Sequence, residues 1–347
     1  EKIRTVGVIG PNADSRAALI GNYHGTASRY ETIQQGLQDY LGEEVRVLTS
    51  AGCALSDDRT EKLAFAGDRL TEAQIVADNS DVVILCVGLD ETLEGEEGDT
   101  GNSYASGDKE TLLLPKGQRD LMEAVAATGK PVVLCMMSGS DMDLSYAREH
   151  FDAILQLWYP GCQGGSAAAK LLFGEVSPSG KLPVTFYETL EALPEFEDYS
   201  MKGRTYRYME HEAQYPFGFG LTYGDVRVTD AQIKSGSAFR GMVLEVTAEN
   251  AVTTATDEVL QVYVKCTDSA NAVPNPALAA FKRVHLQAGE TVTVEMPVSA
   301  RAFTVVDETG MRRMDGTHFS IYAGVSQPDA RSRELTGKAP AEIDYSL

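Results

Sequence analysis

The chain has 347 residues, 43% of them hydrophobic, with 30 basic and 51 acidic side chains and a net charge of −21. That length accommodates two domains with cores of their own, and the apolar content is that of a globular protein. The charge excludes nucleic acid and anionic membranes as partners, because both require a basic surface. No apolar run reaches the about 18 residues needed to span a bilayer.

The five cysteines, Cys53, Cys86, Cys135, Cys162 and Cys266, are odd in number and far apart. Cys86 and Cys135 lie inside apolar runs. All five read as small buried thiols, which favours a reducing, cytoplasmic compartment over a disulfide framework. The chain opens on Glu1 and not on Met, so the lack of a signal peptide carries little weight.

Residues 1–190 alternate apolar strand patterns with amphipathic helical ones. The expected strands are Thr5–Ile9, Val45–Thr49, Asp81–Val87, Pro131–Met137, Ala153–Tyr159 and Pro183–Tyr187. Helical periodicity falls on Glu31–Tyr40, Glu61–Ala77 and Lys116–Ala127. Strands spaced by helices imply βαβ units and a mostly parallel sheet, an α/β fold.

Residues 191–224 lose both periods and are rich in Tyr, Pro and Gly. They read as an ordered connector held by its rings, with Tyr206, Arg207 and Tyr208 locking it to the sheet. From 225 to 332 the period becomes two. Val226–Ile233, Gly241–Asn250, Glu258–Cys266, Ala280–Leu286, Thr291–Pro297 and His318–Gly324 are alternating strands, with Leu260, Val262 and Val264 on one face. Such a series predicts an immunoglobulin-like or fibronectin type III sandwich. Residues 333–347 read as a tail.

The candidate chemistry follows the strand Asp81–Val87. Asp90, Glu91, Glu94, Glu96, Glu97 and Asp99 crowd the loop after it. Loops at the carboxyl ends of parallel strands are where open α/β sheets bind ligands. A carboxylate there can exchange a proton if its surroundings tune it, and six so close together disfavour full ionisation.

Other motifs fail on spacing. Gly174–Lys181 has one residue too many for a phosphate-binding loop, and Leu182 stands where Ser or Thr should follow Lys181. The first strand leads into Gly10-Pro-Asn-Ala-Asp14 without a dinucleotide fingerprint. The five histidines lack metal-ligand spacing, so neither metal nor cofactor is expected. Ser138-Gly-Ser140 is not a nucleophile elbow and reads as a turn.

Seven segments in order carry a specific likeness. They are Val6–Asp14, Gly21-Asn-Tyr-His-Gly-Thr26, Val87–Glu94, Leu114-Pro-Lys-Gly-Gln118, Leu157-Trp-Tyr-Pro-Gly161 with Gly164-Gly165, Ser179–Phe186, and Tyr215-Pro-Phe-Gly-Phe-Gly-Leu-Thr-Tyr223. With them the chain resembles the C-terminal half of glycoside hydrolase family 3, the β-glucosidases and β-xylosidases. The resemblance implies an (α/β)6 sandwich followed by a fibronectin type III-like domain. It also implies a (β/α)8 barrel elsewhere, as a domain or a separate chain, which supplies the nucleophilic Asp and most of the sugar pocket.

By the same resemblance the acid/base of a retaining exo-acting β-glycosidase falls on Glu94, with Glu96 as runner-up. Glu97, Asp99 and Trp158 are the substrate-binding candidates, although Trp158 also suits a core position. The insert Thr100–Lys109 departs from the family pattern and is placed at the rim of the leaving-group site. The expected partner is a β-linked glucoside or xyloside, and the connector Asp198–Tyr208 leans toward the xylosidase branch. Self-association into a homo-oligomer stays open. The competing reading is a stand-alone carbohydrate-binding or interaction module without catalysis.

Overall fold

The computed structural model describes residues 2–56, 65, 67–95 and 109–347. The chain divides into two compact units, Glu1–Glu175 and Val176–Leu347.

The first unit runs β1 (Thr5–Ile9), α1 (Ala17–Ile20), α2 (Ile33–Leu41), β2 (Arg46–Ser50), α3 (Asp68–Asp78), β3 (Val82–Gly88), α4 (Lys116–Ala126), β4 (Val132–Met137), α5 (Ser145–His150), β5 (Ala153–Gln156) and α6 (Gly164–Leu172). The five strands form one parallel sheet in the order β2-β1-β3-β4-β5. In β3, Val83 to Val87 are all buried, as expected of a strand covered on both faces. The chain leaves β1 toward β2 on one side and returns to β3 on the other, so the order reverses between β1 and β3.

Helices α2 and α6 approach more closely than side chains permit. A Cβ on Gly165 would lie 2.1 Å from the Thr32 carbonyl oxygen, and one on Gly36 would lie 2.0 Å from the Gly165 backbone. The Gly164-Gly165 pair is therefore a packing surface. Thr32 also caps α2, its hydroxyl accepting from the Gln35 N–H at 3.3 Å.

The second unit continues with α7 (Thr205–Tyr208), β6 (Val226–Ser237), β7 (Gly241–Asn250), β8 (Thr256–Cys266), β9 (Ala277–Leu286), β10 (Thr291–Val298), β11 (Val305–Val306), β12 (Arg312–Arg313), β13 (His318–Gly324), α8 (Ala330–Thr336) and β14 (Ala341–Ser346). Two antiparallel sheets, β10-β7-β6 and β14-β13-β8-β9, enclose a core that includes Leu244, Val246, Leu260, Val262, Phe319 and Ile321.

Three expectations need correction. Pro183–Tyr187 is not a sixth strand of the parallel sheet; it makes only an isolated antiparallel bridge, Phe186 to Tyr215, inside the second unit. The division accordingly falls at 175/176, ahead of 190. Residues 176–190 are tied to the connector and to the sandwich by the Leu182 N–H to Phe219 carbonyl bond at 2.9 Å and by Lys181. The presumed tail also holds β14, which pairs with β13 from His318↔Ser346 to Ala323↔Ala341.

The connector is ordered through its rings. Tyr206 stacks on Phe217 with centroids 4.2 Å apart, and its hydroxyl accepts from the Leu278 N–H at 3.0 Å. Lys181, set aside above as a phosphate ligand, forms an almost fully buried ion pair with Glu258 at 2.8 Å and donates to the Gly220 carbonyl at 2.6 Å. Burial pulls its ammonium below the ordinary value, and the Glu258 carboxylate opposes that shift.

Two stability predictions follow from this packing. Gly165→Ala should destabilise the first unit by about 1–3 kcal/mol, because α6 must retreat from backbone and not from a pliable side chain. Lys181→Met should cost the second unit about 3–5 kcal/mol by stranding a buried carboxylate, whereas Lys181→Met with Glu258→Leu should recover most of it. Urea unfolding of each variant, compared with the parent chain, measures both.

Candidate active site

The carboxyl end of β3 is clamped before the acidic loop leaves it. Gly88 has φ 148°, and a Cβ there would lie 1.9 Å from the Met137 carbonyl oxygen, so only glycine lets β3 and β4 close at this point. Fully buried Gln118, from α4, accepts from the Gly88 N–H and donates to the Gly88 carbonyl, both at 2.8 Å. Asn12, after β1, donates to the Leu89 carbonyl at 2.9 Å and so bridges the place where strand order reverses. Asn12 and Gln118, which come from segments far apart in the chain, thus both fix the start of this loop.

Beyond the clamp the chain makes a tight turn. The Asp90 carbonyl accepts from the N–H groups of Leu93 and Glu94, while its carboxylate accepts from the Thr92 N–H and hydroxyl at 2.9 and 2.6 Å. Buried Leu93 roots the turn, and Glu94 emerges half-buried toward β4 and β5.

Glu94 is where three loops meet. Its Oε2 accepts from the Gly139 N–H at 2.6 Å and from the Tyr159 hydroxyl at 2.6 Å, and its Oε1 accepts from the Ser140 hydroxyl. Gly139 and Ser140 follow β4, in a turn closed by the Ser138 hydroxyl donating to the Ser140 carbonyl at 2.8 Å. A Cβ on Gly139 would crowd both Glu94 and Tyr159. Tyr159 follows β5, preceded by Trp158 with φ 56°, a left-handed backbone that turns the strand end toward Glu94. Such a conformation at a non-glycine residue costs about 1–3 kcal/mol and persists only where its surroundings enforce it.

The segment after α1 completes the rim. Gly21 lies against the Tyr159 ring, where a Cβ would come within 2.4 Å. His24 Nε2 lies 3.4 Å from Glu91 Oε2, an ion pair when the imidazole is protonated. Lys109 Nζ donates to Ser140 Oγ at 2.7 Å and to the Asp141 carbonyl.

Of the residues singled out from the sequence, Glu94 and Trp158 are brought to this edge, Trp158 being half-buried beside Tyr159 and not an open platform. Glu96, Glu97 and Asp99, with the insert up to residue 108, lie outside the described residues. The sequence reading missed Gly139, Ser140 and Tyr159 as partners of the acidic loop. A Ser-Gly-Ser turn at the carboxyl end of a parallel strand was the available signal. Among the described residues no group of three or more His, Cys, Asp or Glu could hold a metal ion, and no helix is long and apolar enough to cross a membrane.

Comparison with known proteins places these features in context. Residues 1–223 match the model of the glycosyl hydrolase family 3 C-terminal domain, and residues 258–327 match that of the fibronectin type III-like domain. A xylan 1,4-β-xylosidase of Xylanibacter ruminicola is 37% identical over 256 residues, 73% of this chain and 30% of that protein. A β-xylosidase of Formosa agariphila is 30% identical across 97% of this chain and 46% of its own length. The solved structure of a β-glucosidase from Erythrobacter marinus superposes with a TM-score of 0.82 at 28% identity, covering 99% of this chain and 46% of that one. The chain therefore spans less than half the length of these relatives.

Burial, the charge of Glu94 and the hydrogen bond to it together hold the Tyr159 phenol well above its ordinary value. A phenol raised in the folded state keeps its proton after the unfolded chain, with a tyrosine value of about 10, has lost it. The associated stability is complete below about pH 10 and is lost as the pH climbs beyond that toward the folded value. Tyr159→Phe should remove this contribution, so the first unit's melting temperature should fall less steeply above about pH 10 than in the parent. Scanning calorimetry at stepped pH tests it, and an unchanged slope would contradict it.

Proposed function

Because this chain belongs to glycoside hydrolase family 3, with a C-terminal-domain fold and a fibronectin type III-like domain, we propose that it is the acid/base-supplying half of a retaining exo-β-glycosidase acting on β-linked glucosides or xylosides. The reading is carried by one observation: Glu94 stands at the carboxyl edge of a parallel sheet with its carboxylate aimed by Gly139, Ser140 and Tyr159. A retaining glycosidase needs two carboxyl groups roughly 5–5.5 Å apart across the scissile bond. One attacks the anomeric carbon; the other protonates the departing oxygen and then takes a proton from water. Glu94 is assigned the second role. The nucleophile is assigned to a barrel domain or chain other than these 347 residues, and the 347-residue chain alone is expected to hydrolyse nothing.

A second reading draws support from the same geometry. Both oxygens of Glu94 are occupied by donors of its own chain, which suits an anchor for the loop as well as an acid. The acid/base role then moves to Glu96, two residues along.

One experiment on the complete barrel-containing enzyme separates the two. General acid assistance contributes about 10²–10⁴-fold, so Glu94→Gly should lose about that factor on a β-linked disaccharide. On an aryl glycoside with an acidic phenol the glycosyl-enzyme should accumulate, and azide should release it as a glycosyl azide of retained β configuration. Azide product from Glu96→Gly alone would transfer the role to Glu96. Azide product from neither variant would discard this loop as the source.

A further inference from the structure

Lys109 is the last residue of the insert and the only one of it among the described residues, and it lies half-buried against the loop that follows β4. Besides Ser140 Oγ at 2.7 Å and the Asp141 carbonyl, its ammonium approaches Met142 Sδ at 3.6 Å. An ammonium has only hydrogens to give, and a serine hydroxyl has one hydrogen and lone pairs to accept with. With Lys109 donating to Oγ, the hydroxyl hydrogen of Ser140 is directed to Glu94 Oε1. The chain of bonds has one direction, from Lys109 through Ser140 to Glu94. Burial weakens the hold of the Lys109 ammonium on its proton, and the charges of Asp141 and Glu94 work the other way.

We propose that Lys109 is a positioning residue for the chemistry at Glu94: it locks Ser140 as a donor and so fixes where the carboxylate lies when a leaving group arrives. It also attaches the end of the insert to the loop after β4, beside the bond that the Asp143 N–H donates to the Leu112 carbonyl at 2.8 Å. This role rests on the reading of Glu94 as the acid/base, so the test has two arms that can fail separately.

The first arm uses the 347-residue chain labelled with ¹³C at glutamate side-chain carboxyls, the Glu94 resonance being the one lost in Glu94→Gln. Lys109→Met and Ser140→Ala should each move that resonance, and the double variant should move it no further than either single change, as residues in one network are non-additive. Lys109→Arg should leave it nearly in place. A resonance unmoved by Lys109→Met, or shifts that add in the double variant, would overturn the relay. The second arm uses the complete enzyme. Lys109→Met should lower kcat on a β-linked disaccharide by about 10–10²-fold, the scale of a misplaced catalytic group. KM should change little, and formation of the glycosyl-enzyme from a dinitrophenyl glycoside should be nearly unaffected. Equal losses on both substrates would reduce Lys109 to a structural residue and overturn the positioning role. If the resonance behaves as expected while Glu94→Gly gives no azide product, the positioning of Glu94 stands and the acid/base reading falls.

Discussion

The hydrogen bonds that hold the backbone of Gly88 and Leu89 are the constraint on which the candidate site depends. A parallel strand delivers its last residue to the sheet edge with backbone groups facing in several directions, and a loop leaving that edge has no inherent course. Here Gln118 satisfies both the N–H and the carbonyl of Gly88, and Asn12 takes the carbonyl of Leu89. Both amides are fully buried, so their bonds are shielded from water and losing one partner would leave the other uncompensated. With the exit point fixed, the short Asp90 turn determines where Glu94 stands.

The partners of Glu94 depend on the same sheet. Because β4 pairs with β3 and β5 with β4, all parallel, the turns after them reach the same edge. The small residues there are consequences of closeness: Gly139 leaves room for a carboxylate and a ring, and Gly21 leaves room for the same ring. Helix α6 can pack closely on α2 because Gly165 meets Gly36 without intervening side chains. A site built from loop tips is in this way supported by glycines placed wherever two backbones must approach.

The second unit reaches order by a different route. Its inward faces alternate as a sandwich requires, yet β8 departs from alternation, since Gln261 and Tyr263 are buried along with Leu260, Val262 and Val264. The connector explains this: Gln261 donates to the Gly218 carbonyl at 2.9 Å and Tyr263 donates to Gln261 at 2.6 Å, so the second face of β8 is covered as well. The Lys181–Glu258 pair ties the Ser179–Phe186 segment to the same strand, β8. A buried ion pair contributes little net stability against an apolar replacement, but breaking it from one side is costly, which makes it a device for fixing the position of the Ser179–Phe186 segment.

By itself the sequence determined the α/β unit, the sandwich behind it and the strand that carries the acidic loop. Those features rest on local periodicity: a continuous apolar run for β3, alternation for β7 and β13, and helical spacing for α2 and α4. Even β14 was present as the alternation Ala341-Glu-Ile-Asp-Tyr-Ser346, hidden only by the Lys-Ala-Pro-Ala stretch before it. Pro183–Tyr187 shows the limit, since its short apolar run suits a strand but cannot specify the sheet it joins. Tertiary structure alone decided that Ser140 and Tyr159, 46 and 65 positions from Glu94, would share its carboxylate, and that Lys109 would bond to Ser140. Contacts of that kind depend on which strand lies beside which and on close backbone approach, and no local pattern in a single chain encodes either.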